Sequence, residues 1–199
     1  LESTHKINTI VFDKTGTITE GKPEVTDILT LGELTKLKLL QIAASAEKGS
    51  EHPLGEAIVH GAEKENLEML KLDAFEAIPG YGIEVMIQNT QVILGNRKLM
   101  MDRGISLSKL EKESDQLASE GKTPMYIAMK NELSGIIAVA DVVKESSAKA
   151  IQKLHKMGIE VAMITGDNRR TAEAIAKQVG IDRVLAEVLP QDKANEVKK

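Results

Sequence analysis

The 199-residue chain contains no cysteine and no tryptophan, and only two phenylalanines and two tyrosines. The missing thiols exclude disulfide frameworks, thiolate metal centres and cysteine nucleophiles, and they agree with a reducing compartment. The scarcity of aromatic rings leaves little with which to stack on single-stranded nucleic acid. A formal net charge of -4, with 28% charged residues, supplies no positive field toward nucleic acid or an anionic membrane surface, and no nucleic-acid partner is expected. No apolar run reaches the ~20 residues that cross a bilayer, and the opening Leu1-Glu2-Ser3-Thr4-His5-Lys6 has no secretory pattern. What remains is a chain with 42% hydrophobic residues, enough to build a globular core in one large domain or two modest ones.

Its organisation follows from periodicity. The apolar run Ile7 to Phe12 ends at Asp13-Lys14-Thr15-Gly16-Thr17, which reads as a buried strand delivering polar groups and a glycine into a turn. Asp13 then stands where α/β sheets place their ligands. The same event recurs late, where Glu160 to Ile164 runs into Thr165-Gly166-Asp167-Asn168. A helix follows, with Ala172, Ile175, Ala176 and Val179 on one face. A helix over Ser146 to Met157, closed by Gly158, precedes that strand, so the order predicts a parallel sheet. The middle of the chain reads differently. Helices are expected over Leu31 to Ser45 and Pro53 to Glu65, then strands at Phe75 to Ile78, Gly82 to Ile87 and Gln91 to Leu94, the last two joined by a turn at Asn89-Thr90. Two more helices and strands over Met125 to Met129 and Ser134 to Ala140 complete it. The expected fold is α/β: a doubly wound parallel sheet in two sequence pieces, 1–26 and 142–199, with an α+β domain, 27–141, inserted between them.

Taken singly, these residues have plain structural readings. An aspartate after a strand is commonly a turn or cap residue, His52 could cap the helix that begins at Pro53, and Gly80 and Gly82 could be ordinary turn glycines. The methionines fall at strand and helix positions that read as core rather than as soft-metal ligands.

Together they resemble a known family. Asp13-Lys14-Thr15-Gly16-Thr17-Ile18-Thr19 resembles the phosphorylation signature of P-type ATPases. Thr165-Gly166-Asp167 is similar to their second catalytic loop, and Leu189-Pro190-Gln191-Asp192-Lys193 to the segment carrying their phosphate-binding lysine. The resemblance implies a haloacid dehalogenase-like phosphorylation domain in which Asp13 is the nucleophile. Lys14, Thr165, Gly166, Asp167 and Lys193 would surround it, with Asp167 facing the nucleotide or a domain surface. Asp13 and the Thr15 carbonyl would take Mg²⁺. A carboxylate attacking a phosphoryl group of its own charge needs such cations and aimed donors. Thr15 also separates two readings, since related phosphatases usually carry a second aspartate there as general acid and base. A threonine favours a phosphoenzyme that persists, hence a pump, over a soluble aspartate-nucleophile phosphatase; a non-catalytic nucleotide-binding module is the other alternative, for which the missing magnesium aspartate argues.

Ser50-Glu51-His52-Pro53-Leu54-Gly55 resembles the nucleotide-domain motif of the heavy-metal branch. By that likeness His52 would stack on adenine and Glu47 would accept from its amine. Gly80, Gly82, Ile83, Gly95 and Asn96 would line the rest of an ATP site. The implied whole is a heavy-metal pump in a cell membrane, copper-exporting foremost, with zinc and cadmium pumps sharing the same motif. This chain would be its cytoplasmic portion, partnered by transmembrane and actuator domains and by a soft metal ion bound elsewhere. The family's Gly-Asp-Gly segment and membrane helices are not among the 199 residues, so the expectation is a fragment that binds ATP but phosphorylates poorly alone.

Overall fold

The computed structural model describes residues 8–189 and Asp192. The chain divides into two compact units. One comprises Leu1–Lys22, Ser119–Gly121 and Asp141–Lys199, the other Pro23–Ala118 and Lys122–Ala140.

In the first unit, β1 (Thr9–Asp13) lies parallel to β8 (Glu160–Ile164), which lies parallel to β9 (Arg183–Leu185). Helices α5 (Glu145–Lys156) and α6 (Arg169–Val179) connect and flank these strands. α6 starts where the Asn168 side chain accepts from the Thr171 N–H at 2.8 Å, and it stops at Gly180, whose left-handed φ of 84° would strain any other residue. Its face of Ala172, Ile175, Ala176 and Val179 packs with Ile18, Ile151, Val161 and Met163 into one core. Strand β9 has no counterpart in the sequence reading, because three residues are too few to show a period.

In the second unit, six antiparallel strands run in the order β2-β7-β6-β5-β4-β3: β2 Glu24–Thr30, β3 Ala74–Ile78, β4 Gly82–Ile87, β5 Thr90–Gly95, β6 Thr123–Met129 and β7 Glu132–Ala140. On one face α1 (Lys36–Glu47) and α2 (Pro53–Lys64) cover Ile83, Val85, Val92, Leu94, Ile127, Ile137 and Val139. On the other, α3 (Arg97–Asp102) and α4 (Glu111–Ser119) supply residues that join Ile93, Tyr126, Ala128, Ile136 and Ala138. Burial on both faces explains why β7 is a continuous apolar run. Each fully buried Leu or Ile contributes roughly 1.5–3 kcal/mol. Gly135 marks a close approach: a Cβ there would lie 2.3 Å from the Leu29 carbonyl oxygen and 2.6 Å from Leu39 Cδ2.

Three expectations shift. Strand β2 runs through the boundary placed at 26/27, and was unread because a bulge between Val25 and Asp27 breaks the alternation that signals a strand. The first helix of this unit begins at Lys36, not Leu31, since Gly32 has φ +67° and the Thr35 side chain caps the helix by accepting from the Lys38 N–H at 3.1 Å. The β4–β5 turn is Gln88-Asn89, both left-handed, which matches the twist of a two-residue hairpin.

Candidate active site and nucleotide surface

Asp13 is the last residue of β1 and the register partner of Ile164, the last residue of β8. The two strands therefore deliver their following loops, Lys14–Ile18 and Thr165–Asn168, side by side at the carboxyl edge of the sheet. Gly16, with φ +80°, turns the first loop, which the Thr19 N–H closes by donating to the Lys14 carbonyl at 3.0 Å. Thr15 and Gly16 are exposed there, whereas Thr165 is buried. The Asp167 N–H donates to the Thr165 hydroxyl oxygen at 3.1 Å, and Glu187 and Val188 N–H groups donate to the carbonyls of Asp167 and Thr165.

Lys14 and Asp167 meet directly. The ammonium donates to the carboxylate at 2.5 Å, and both side chains are about nine-tenths removed from solvent. The sequence reading placed both residues in the site but did not pair them. The contact ties the first loop to the second with a charge-assisted bond. Lys193 lies outside the described residues.

Sequence reasoning missed the residues that brace the loop following Asp13. The Asp141 carboxylate accepts from the Thr19 hydroxyl at 2.8 Å and from the backbone N–H groups of Gly21 and Lys22 at 2.9 and 3.1 Å. Lys144 Nζ donates to the Gly16 carbonyl, and the Ser147 hydroxyl donates to that of Ile18. The available signal was Asp141 itself, the first charged residue after a long apolar strand.

In the second unit the candidate nucleotide residues form two groups. Glu47, Ser50, His52, Pro53 and Gly55 surround the junction of α1 and α2. Glu47 is 5% exposed at the carboxyl end of α1, where the helix dipole opposes a negative charge. Burial pushes its carboxyl above the usual range, and a hydrogen bond with Ser50 draws it partly back. Gly55 makes room for it, since a Cβ there would lie 2.2 Å from Glu47 Oε2. His52 Nδ1 accepts from the Leu54 N–H at 3.2 Å, capping α2 and leaving the neutral ring's proton on Nε2. Pro53 is the first helical residue, and Glu51 is exposed beside it.

The second group is built on the pairing of Gly82 with Gly95. A Cβ on Gly82 would lie 2.2 Å from the Leu94 carbonyl oxygen, and one on Gly95 2.3 Å from that of Tyr81. Asn96 binds the turn twice: its N–H donates to the Tyr81 carbonyl at 2.9 Å and its Nδ2 to that of Gly80 at 3.1 Å. Its Oδ1 caps α3 by accepting from the Leu99 N–H. Ile83 turns into the core shared with α1 and α2. A concavity of about 320 Å³ between β2 and these two helices is lined by none of the candidate residues.

The donor chemistry suits the implied groups. A strand-end carboxylate and an exposed main-chain carbonyl are hard oxygen ligands of the kind Mg²⁺ takes alongside water and substrate phosphates. No cluster of three or more His, Cys, Asp or Glu side chains suited to a metal occurs among the described residues. A buried carboxyl beside Gly55 and Ser50 is an acceptor suited to an amine-bearing base.

The family model for haloacid dehalogenase-like hydrolases matches residues 7–199. A copper-exporting P-type ATPase of Staphylococcus aureus (strain JH9) is 53% identical over 200 residues, which cover 100% of this chain and 24% of that protein. The chain thus spans about a quarter of the length of the curated relatives it matches. Among solved structures, a zinc-transporting PIB-type ATPase in its E2.Pi state aligns with a TM-score of 0.65 at 33% identity, over 96% of this chain and 30% of that one. The N-domain of a copper-transporting P-type ATPase aligns with a TM-score of 0.50 at 28% identity, over 59% of this chain and 98% of its own. A strand-end aspartate beside a second loop at the edge of a parallel sheet and a match over nearly the whole length lead to one conclusion: the chain belongs to the haloacid dehalogenase-like hydrolases and is homologous to the copper-exporting P-type ATPases.

Proposed function

We propose that this chain is the ATP-binding and phosphorylation region of a membrane pump that exports a soft metal ion, copper(I) foremost. The observation that carries this reading is the placement of Asp13 at the carboxyl end of β1 beside the Thr165 loop, within a chain half identical to copper exporters. A carboxylate oxygen of Asp13 attacks the γ-phosphorus of ATP, the bond to the β-phosphate oxygen breaks, and ADP leaves with that electron pair. The product is an aspartyl phosphate. Asp13 and the Thr15 carbonyl would hold Mg²⁺, which neutralises phosphate charge when bound. The Thr165 hydroxyl, the Gly166 backbone and Lys193 are the proposed phosphoryl contacts. Lys14 and Asp167 hold the two loops in register.

In the inserted unit, Glu47 accepts from the adenine amine, with Ser50 steadying its carboxyl. The His52 ring, its tautomer set by the α2 cap, stacks on the base. Gly80, Gly82, Ile83, Gly95 and Asn96 bring bare backbone and one amide to the remainder of ATP, and Glu51 and Pro53 complete the motif that shapes the α2 start. With threonine at position 15 no carboxylate stands ready to activate water, so the aspartyl phosphate lasts long enough to drive transmembrane and actuator domains that lie outside this chain. The chain works on the cytoplasmic side, where ATP is available.

The test uses the full-length protein with Mg²⁺, radiolabelled ATP and copper(I). An acid-stable label that disappears in Asp13→Asn supports the proposal; label retained by that variant overturns it.

A further inference from the structure

A buried polar relay stands behind the glycine cluster. Tyr126 is 3% exposed, on the β6 segment where it pairs in register with Gly95 of β5. Its hydroxyl shares a hydrogen bond with that of Ser114 on α4, which is equally buried. The guanidinium of Arg97, the first residue of α3, lies against the Tyr126 hydroxyl and is held by Glu111 of α4 through an ion pair of 2.6 Å. Burying a phenol and a serine hydroxyl is unfavourable unless both are satisfied, and a packed Phe and Ala would fill the same space without that demand. The relay therefore spends stability on position. What it positions is adjacent: Arg97 follows Asn96, the residue that binds the Tyr81 and Gly80 carbonyls and caps α3.

We propose that Tyr126 is a positioning residue for nucleotide binding, its hydroxyl and the Arg97–Glu111 pair fixing the start of α3 so that Asn96 holds the Gly80–Gly82 turn in its binding-competent shape. The inference rests on the nucleotide reading given above. Tyr126 touches no nucleotide in this account; it acts through Asn96.

The test is calorimetric titration of ATP into the 199-residue chain and its variants, with thermal midpoints measured alongside. Tyr126→Phe is expected to weaken ATP about five-fold, the loss of one well-placed hydrogen bond. In an Asn96→Ala background the same change should cause no further loss, because both act along one path. The double variant Tyr126→Phe/Ser114→Ala removes both buried hydroxyls, so it should recover the thermal midpoint while ATP stays about five-fold weaker. A general destabilisation would instead recover both together. Equal affinities for the native chain and Tyr126→Phe, or additive losses with Asn96→Ala, would overturn this inference and leave the nucleotide reading standing. Absence of ATP binding by the native chain would overturn both.

Discussion

At the scale of single residues, Glu47 and Gly55 make one unit with two opposite rules. Alanine is ordinarily preferred over glycine inside a helix by about 1 kcal/mol. At position 55 the sign reverses, because the added carbon would lie 2.2 Å from the Glu47 carboxylate. Gly55→Ala is expected to destabilise the inserted unit by about 1–3 kcal/mol in urea denaturation, and Glu47→Ala in the same chain to cancel most of that cost. Glu47 also sets a pH dependence. Its folded-state carboxyl is raised by burial, so its contribution to stability is complete below the ordinary carboxylate range and is lost as pH rises through the raised value. Glu47→Gln should flatten that decline. On the proposed adenine contact it should also weaken ATP, since an amide oxygen accepts less strongly than a carboxylate. A pH profile unchanged by the substitution would remove the buried carboxyl from the account.

At the scale of elements, the loop that carries Asp13 is held by the segment at the end of β7. Asp141 gathers one hydroxyl and two backbone N–H groups from Thr19, Gly21 and Lys22. Asp141→Ala is expected to leave ATP affinity intact while slowing phosphoenzyme formation in the full-length protein by about ten-fold or more, because small displacements of a nucleophile are strongly felt. Rapid-quench labelling beside equilibrium titration separates the two effects. The sequence marked Asp141 as a charge after an apolar strand but could not name its partners, since residues 19 and 141 are joined only by the fold. What was legible had a local cause. The α6 face, the proline start of α2 and the paired strands β4 and β5 each announce themselves by period or punctuation. Strand β2 did not, because its bulge hides the alternation, and β9 was too short. The candidate site divides the same way. Strand-end motifs could be read from their flanking apolar runs, whereas the Lys14–Asp167 contact spans 153 positions and the relay through Tyr126 depends on which face of β6 meets α4.

At the scale of the whole molecule, two units with separate cores should unfold as two events rather than one. Scanning calorimetry is expected to resolve two components, with ATP raising only the one that belongs to Pro23–Ala118 and Lys122–Ala140, by mass action on its folded state. A single component shifted as a whole would contradict this. The first unit carries its own acid limit. The Val161 N–H and His155 hold the Asp182 carboxyl below its ordinary value, so their stabilisation is present above that value and lost as pH falls through the lowered one. Asp182→Asn should therefore matter little to this unit in strong acid and more near neutrality. The pairing of β1 with β8 bears on how the protein is made. On the ribosome β1 emerges well before β8, its partner among the described residues, and roughly 150 further residues must be translated first, a wait of about ten to thirty seconds at ordinary elongation rates. The inserted unit, almost contiguous in the message, can mature during that interval, so nascent chains stalled once residue 140 has cleared the ribosome, with β8 still inside it, should already protect that unit from protease while Asp13 is still open to cleavage.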